Sequence, residues 1–275
     1  MLTSEVRLPA VAGMFYDREP VRLKKVVENY LKEANPPKIE GEIIGIVSPH
    51  AGYFYSAKTA AYGYKLIKGK KYDTVVVISP SHYEYFRGVS VYNGTAYQTP
   101  LGIVPIDTEL RDELKDYNSI IEFSKRGHGR EHALEVQLPF LQVVLDEFKL
   151  LPVVMGDQSK EIVYALAEVL AEVLKNKNVL LVASSDLSHY FSHEVANSLD
   201  SRVEKFINDF NDEGLMDELE GEKVQACGGG PIVTVMKTSK LLGATKSKVL
   251  YRNDSSEASG DKHQVVGYLS AVFYS

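Results

Sequence analysis

Three apolar runs, Ile43-Ile44-Gly45-Ile46-Val47, Thr74-Val75-Val76-Val77-Ile78 and Val179-Leu180-Leu181-Val182-Ala183, interrupt a chain in which apolar and polar residues otherwise alternate with helical spacing. A strand covered on both faces has no polar side to present, so these runs predict buried strands of a largely parallel sheet. Pro20 to Ala34 predicts an amphipathic helix. It opens on proline, carries Val21, Leu23, Val26, Val27, Tyr30 and Leu31, and stops before Asn35-Pro36-Pro37. Ser56 to Lys68 predicts a crossover helix with a serine cap and a stop at Gly69. Gln158 to Lys175 predicts another, with an inner stripe that includes Ile162, Leu166, Leu170 and Val173.

Between these elements, Val89 to Gly102 holds short β-like pieces around Asn93-Gly94 and predicts a hairpin or excursion. Glu131 to Phe148 has a helical pattern that Pro139 is expected to kink or divide. Leu150 to Met155 predicts a strand, and His193 to Phe210 and Glu213 to Glu220 predict helices. Pro231 is placed as the first residue of a helix running to Leu242. Lys248 to Arg252 and Val265 to Phe273 are closing strands around an Asp254 to Lys262 loop. Strands alternating with helices predict an α/β fold with a central, largely parallel or mixed sheet flanked by helices. No segment has linker composition, so residues 1–275 are expected to form one domain.

The composition narrows the function classes. With 31 Lys+Arg against 37 Asp+Glu, a net charge of −6 excludes nucleic-acid binding as the main role. A single cysteine excludes an intramolecular disulfide and suits a reducing compartment. No apolar stretch nears the roughly 18–20 residues that span a bilayer. The first residues lack the basic-then-apolar pattern of a secretory signal. A cytoplasmic protein with no membrane or nucleic-acid partner is expected.

Each apolar run ends at a histidine, in Ser48-Pro49-His50, Ser79-Pro80-Ser81-His82 and Ser184-Ser185-Asp186-Leu187-Ser188-His189. Ligands of open α/β sheets bind beyond the carboxyl ends of the strands, so the three imidazoles are expected to converge as a metal site or catalytic cluster. The alternative is three unrelated capping or surface histidines. Cys227 precedes three glycines and Pro231, a setting in which a helix amino terminus favours thiolate. Asp186 lies three residues before His189 and can orient it, bind metal, or only cap a helix. His132 is a candidate for the pocket rim, whereas His128, His193 and His263 read as structural or exposed. Tyr53, Tyr55, Tyr83, Tyr85 and Tyr190 lie near the leading histidines and suit an aromatic pocket, with Tyr53 and Tyr83 at its rim.

At these residues the chain resembles the MEMO family, named for a mediator of cell motility. The resemblance covers nearly the whole length. It runs from Arg7-Leu8-Pro9-Ala10-Val11-Ala12-Gly13-Met14-Phe15-Tyr16 through Pro49-His50-Ala51-Gly52-Tyr53, Ser79-Pro80-Ser81-His82 and Glu131-His132-Ala133-Leu134-Glu135-Val136-Gln137-Leu138-Pro139. It then takes in Ser184 to His189 and Cys227-Gly228-Gly229-Gly230-Pro231. The family is similar in fold to class III, LigB-type extradiol dioxygenases, which hold non-haem Fe(II) with two histidines and a glutamate. The resemblance implies His50 and His82 as metal ligands, His189 as acid/base, and Cys227 where the dioxygenases carry the glutamate. Thiolate shifts preference toward copper or zinc without excluding iron. It also implies a radical-SAM protein and an AMMECR1-like protein as partners.

Three functions follow as expectations. The first is a metal-binding protein with redox or oxygen-dependent chemistry on an unknown substrate, using His50, His82, Cys227, His189 and Asp186. The second is a cysteine hydrolase built on Cys227, His189 and Asp186. The third is a peptide- or protein-binding module with a vestigial metal site.

Overall fold

Side chains buried on both faces of strands fix the layering of this molecule. The computed structural model describes residues 5–117 and 119–275. In chain order its first half contains β1 (Val6–Arg7), α1 (Pro20–Glu33), β2 (Ile43–Ser48), α2 (Tyr53–Ile67), β3 (Thr74–Pro80), β4 (Val89–Tyr92), β5 (Ala96–Thr99), β6 (Gly102–Pro105), α3 (Thr108–Glu113) and β7 (Ile121–Ser124). The second half contains α4 (Leu138–Val144), β8 (Lys149–Met155), α5 (Lys160–Val173), β9 (Val179–Ser184), β10 (His189–Phe191), α6 (His193–Asn208), α7 (Asp212–Glu220), α8 (Gly229–Leu241), β11 (Lys246–Asp254), α9 (Ser256–Ser259) and β12 (Val265–Tyr274).

The main sheet has the order β10-β12-β2-β9-β3-β8-β4-β7, with β11 on the free side of β12. Strands β2, β9, β3 and β8 run parallel, and β12 and β4 flank them antiparallel. In β3, Val75 and Val77 pack into one layer with α1, α2 and α4, while Val76 and Ile78 pack into the other with α5 and α8. Each of these four side chains is fully buried, which stabilises the fold by about 1.5–3 kcal/mol apiece. The apolar runs are continuous because both faces are covered. A smaller sheet, β1-β5-β6, carries the amino-terminal strand. Among the described residues, no helix is long and apolar enough to cross a membrane.

Several elements differ from the sequence reading. Helix α2 starts at Tyr53 with Gly52 as its cap, and Ser56 lies inside its first turn, donating from Oγ to the Ala51 carbonyl at 2.8 Å. Pro139 neither kinks nor divides a long helix. It occupies the first turn of the short α4, where its missing N–H leaves no helical bond unmade, and a 3₁₀ turn at Glu135–Gln137 precedes it. Asn93-Gly94 joins two different sheets, so the hairpin is instead β5 to β6. Pro231 is the third residue of α8, and the Asp254 to Lys262 loop contains α9.

Candidate functional site

Strand β9 lies between β2 and β3, so the chain leaves three neighbouring strand ends within one patch. His50 stands two residues beyond β2, His82 two beyond β3 and Asp186 two beyond β9. Buried His50 is fixed through both its backbone and its ring. Its N–H donates to Asp186 Oδ1 at 2.8 Å, and its Nδ1 meets Ser184 Oγ at 2.9 Å. The hydroxyl proton of Ser184 is already given to the Ala133 carbonyl at 2.6 Å, and the same oxygen accepts from Gln137 Nε2 at 2.8 Å. Nδ1 of His50 must therefore carry the proton, which leaves the Nε2 lone pair free. That Nε2 faces Cys227 Sγ at 3.2 Å. Burial, then the neighbouring His82, lower the pKa of His50 to about 3, so the ring is neutral at pH 7.

His82 is oriented by a carboxylate that the sequence reading did not single out. Buried Glu131 accepts from the His82 backbone N–H at 2.6 Å and from its Nδ1 at 2.9 Å, and also from the Ala133 N–H at 2.9 Å. A carboxylate on the far ring nitrogen fixes the tautomer and leaves Nε2 for a ligand. Burial opposes ionisation of Glu131, but its bonds to His82 outweigh it and hold the pKa at about 2. Burial likewise opposes charge on His82, and the Glu131 contact outweighs it, raising that pKa.

His132, expected at a rim, packs against the other two rings. Its ring centroid is 4.8 Å from that of His82 and 5.5 Å from that of His50. One ligand nitrogen from each of His50, His82 and His132 lies within 4.8 Å of the others. Burial and then His50 lower the His132 pKa to about 4. Its buried Nδ1 stands 3.4 Å from Glu131 Oε1, out of line for a hydrogen bond, and has no other hydrogen-bond partner among the described residues.

Cys227 is held by an exchange with Asp186, donating its N–H to the Asp186 carbonyl at 3.2 Å and accepting the Asp186 N–H on Sγ at 3.3 Å. Gln158 secures the same turn, donating to the Cys227 carbonyl and accepting from the Gly230 N–H, both at 2.8 Å. Gly228 is required because a Cβ there would stand 2.3 Å from the Ser184 carbonyl oxygen. Burial, and then the Asp186 charge, push the thiol well above its ordinary pKa. Desolvation thus outweighs the hydrogen bonds from Asp186, Ser185 and Gly228 that favour the thiolate.

Asp186 and His189 do not share a helical turn, because His189 opens β10. The nitrogen Nδ1 of His189 donates to the Leu187 carbonyl at 2.8 Å, leaving Nε2 free. The imidazole that meets Cys227 is His50. Tyr190 has φ 66°, and the pairing of β10 with β12 shifts register there. This bulge turns Tyr190 outward, 71% exposed. His189 and Cys227 both line a cavity of about 650 Å3.

Other candidates fall elsewhere. His128 is buried between Tyr97 Oη at 2.6 Å and the Ser90 carbonyl at 3.1 Å, a structural role. His193 pairs with Asp254, and His263 is exposed. Tyr53 is buried beneath the site and donates to the Val136 carbonyl at 2.7 Å, whereas Tyr83 is exposed with its ring 6.2 Å from that of His132. Tyr55 and Tyr85 are exposed.

The sequence reading also passed over a buried pair, Arg7 and Glu135. Arg7 binds Glu135 and donates to the His128 carbonyl at 2.9 Å and the Glu131 carbonyl at 2.5 Å. Glu135 in turn accepts from the Ala10 and Val11 N–H groups at 2.8 and 3.1 Å and from Tyr16 Oη at 2.5 Å. The amino-terminal segment thereby anchors the loop that carries Glu131 and His132.

The chain is similar to known proteins over nearly its whole length. The family described as Memo-like protein matches residues 7–272. A MEMO1 family protein of Methanosarcina mazei is 40% identical over 98% of this chain and 99% of its own. MEMO1 family proteins of Sulfolobus acidocaldarius and Nitrosopumilus maritimus are 38% and 36% identical, each over 98% of this chain and 99% of their own. A crystal structure of an uncharacterized protein, JW3007, from Escherichia coli K12 shares the fold, with a TM-score of 0.55 at 13% identity over 84% of this chain and 99% of that one.

Proposed function

The chain belongs to the Memo-like protein family, and from that premise we propose that it binds one transition-metal ion at its cluster of histidines and carries out redox or oxygen-dependent chemistry there. The observation that carries this reading is the approach of three imidazole ligand atoms to within 4.8 Å of one another. Two nitrogens on one tetrahedral ion, each about 2.1 Å from it, stand about 3.4 Å apart, so the widest pair closes by up to about 1.4 Å when the ion binds. The donors suit the task. His50 and His132 rest neutral, His82 has its carboxylate partner, and the unpartnered Nδ1 of His132 gains an environment in which a polar atom is useful. Cys227 Sγ lies 3.2 Å from His50 Nε2 but outside the group of three converging imidazoles, so it joins the ion only if the Cys227 turn moves toward it.

Imidazole and thiolate together favour iron, copper or zinc over magnesium or calcium. Iron or copper would supply electron transfer or oxygen activation, and zinc a Lewis acid. The protein's own part is orientation and proton handling. Glu131 and Ser184 fix the rings of His82 and His50, and His189, with Nε2 free at the cavity wall, accepts or returns a proton of the substrate. Elemental analysis of protein purified without oxygen tests the reading. Wild type should hold about one ion per chain and His50→Ala less than a tenth of that. Full metal content in His50→Ala would overturn it.

A further inference from the structure

We propose that Tyr268 is a catalytic residue of this site, its hydroxyl donating a hydrogen bond to a ligand atom that carries negative charge at the metal. The proposal deepens the metal-centre reading above and rests on it. Tyr268 belongs to β12, which lies between β2 and β10 and so between the strands that deliver His50 and His189. Ala271 pairs with Val47 in the antiparallel ladder of β12 and β2. Three residues beyond Val47 is His50, and three residues before Ala271 is Tyr268, so the register sets the two level. On the other edge, His189 pairs with Val266, two residues before Tyr268. Neighbouring Gly267 faces α6, where a Cβ would run into Asp200. Tyr268 therefore leaves the opposite face of the strand, on the side of α2, and Asp186 and Tyr55 both act on its hydroxyl. Asp186 is also the carboxylate on which His189, His132 and His82 act.

The hydroxyl is unspent. Tyr268 is 1% exposed, yet among the described residues its Oη has no hydrogen-bond partner. A buried phenol ordinarily finds one. Tyr53 donates to the Val136 carbonyl, Tyr64 to Gln137 and Tyr97 to His128. Tyr164 has none, but its hydroxyl is sealed in the packing, and that of Tyr268 is not. A donor kept without a partner in the protein lowers stability, and proteins retain such groups where something else binds.

The site also needs a donor. His50 and His189 present unprotonated Nε2 atoms, and Asp186 presents a carboxylate, so the groups gathered there are rich in lone pairs. A ligand atom that gains negative charge beside them is stabilised only by a group with a proton to share. Burial, and then the Asp186 charge, hold the Tyr268 phenol well above its ordinary pKa, so it keeps its proton and can give a hydrogen bond.

The test is Tyr268→Phe in the full chain, with Co(II) as the loaded ion and azide as the probe, followed in the visible spectrum. Wild type and variant should hold equal Co(II), and the variant should bind azide about tenfold more weakly, the loss of one hydrogen bond to a charged acceptor. The urea midpoint of the metal-free variant should equal or exceed that of wild type, because no bond within the protein is lost. Tyr97→Phe, which does lose one, should have a lower midpoint and an unchanged azide affinity. Unchanged azide affinity in Tyr268→Phe would overturn the proposal, and so would a lowered midpoint, which would give the hydroxyl a structural partner. A wild type that takes up no Co(II) would instead overturn the metal-centre reading, and this role with it.

Discussion

Glu131 grips His82 twice, through the backbone N–H at 2.6 Å and through Nδ1 at 2.9 Å. One carboxylate thus sets both the path of the loop and the rotation of the ring. Glutamine at this position keeps the shape but offers only one oxygen acceptor. Glu131→Gln is expected to weaken metal binding about 10–100-fold and to lower stability by about 1–3 kcal/mol. A competition titration and a urea melt measure the two effects. Wild-type affinity in a folded variant would mean that His82 needs no such partner.

The buried Arg7–Glu135 pair gives the second expectation. Arg7→Met removes one partner and leaves a charge with no solvent, so stability should fall by about 3–5 kcal/mol. Arg7→Met/Glu135→Gln should lose less than the sum of the two single changes, because the stranded charge is gone. Strict additivity in a double-mutant cycle would contradict the pairing.

Much of this site was legible in the sequence, and what escaped has a common cause. His50 and His82 were readable because β2 and β3 are apolar on both faces and each histidine follows its strand directly. The relation of Glu131 to His82 spans 49 residues, and no local pattern marks a loop whose partner is another loop. Pro139 was misread because a helix-breaking residue and a helix-starting residue are the same residue, told apart only by where the helix begins. Tyr190 escapes propensity altogether, since the register shift between β10 and β12 sets its backbone at φ 66° while its side chain faces solvent.

Stability should depend on acidity through the buried imidazoles. His50 and His128 have pKa values near 3 against an ordinary 6.5, so the unfolded chain protonates first. Their contribution is whole above pH 6.5 and is lost as pH falls from there toward about 3. Glu131, at about 2 against 4.5, contributes fully above pH 4.5 and loses that contribution between 4.5 and about 2. His82 has the opposite sign: its raised pKa stabilises fully below pH 6.5, and the gain fades as pH rises through the folded value. The free energy of unfolding from urea melts should fall on acidification below pH 6.5, by about 1.4 kcal/mol per pH unit for each neutral buried imidazole. Equal stability at pH 7.5 and 4.5 would show that these rings are not held neutral.

Cys227 can be tested by counting protons. Its thiol is protonated at pH 7.5, whereas His50 and His132 already have their lone pairs free. An ion that recruits Sγ must expel about one proton more from wild type than from Cys227→Ser. Zinc calorimetry in two buffers of different ionisation enthalpy reads that difference. If the two proteins release the same number, sulfur is not a ligand.

Gly228→Ala probes the turn itself. The added Cβ would meet the Ser184 carbonyl oxygen at 2.3 Å, a backbone atom that cannot rotate away. The variant should lose about 1–3 kcal/mol and bind metal more weakly, because both Cys227 and the strand end bearing Ser184 must shift. Unchanged melting and affinity would mean that the turn has slack absent from this packing.

The order of strands also bears on how the molecule is made. Strand β9 fills the slot between β2 and β3, although more than a hundred residues separate β2 from it along the chain. A nascent chain that has delivered β2, α2 and β3 has two strands that never pair with each other and a gap between them. The hydroxyl that orients His50 comes from Ser184, the last residue of that missing strand, and Cys227 follows still later. Closing such long loops is slow, and exposed strand edges stay open to wrong partners until it is done. An amino-terminal fragment therefore carries His50, His82 and His132 but lacks the middle strand whose Ser184 orients the first of these rings.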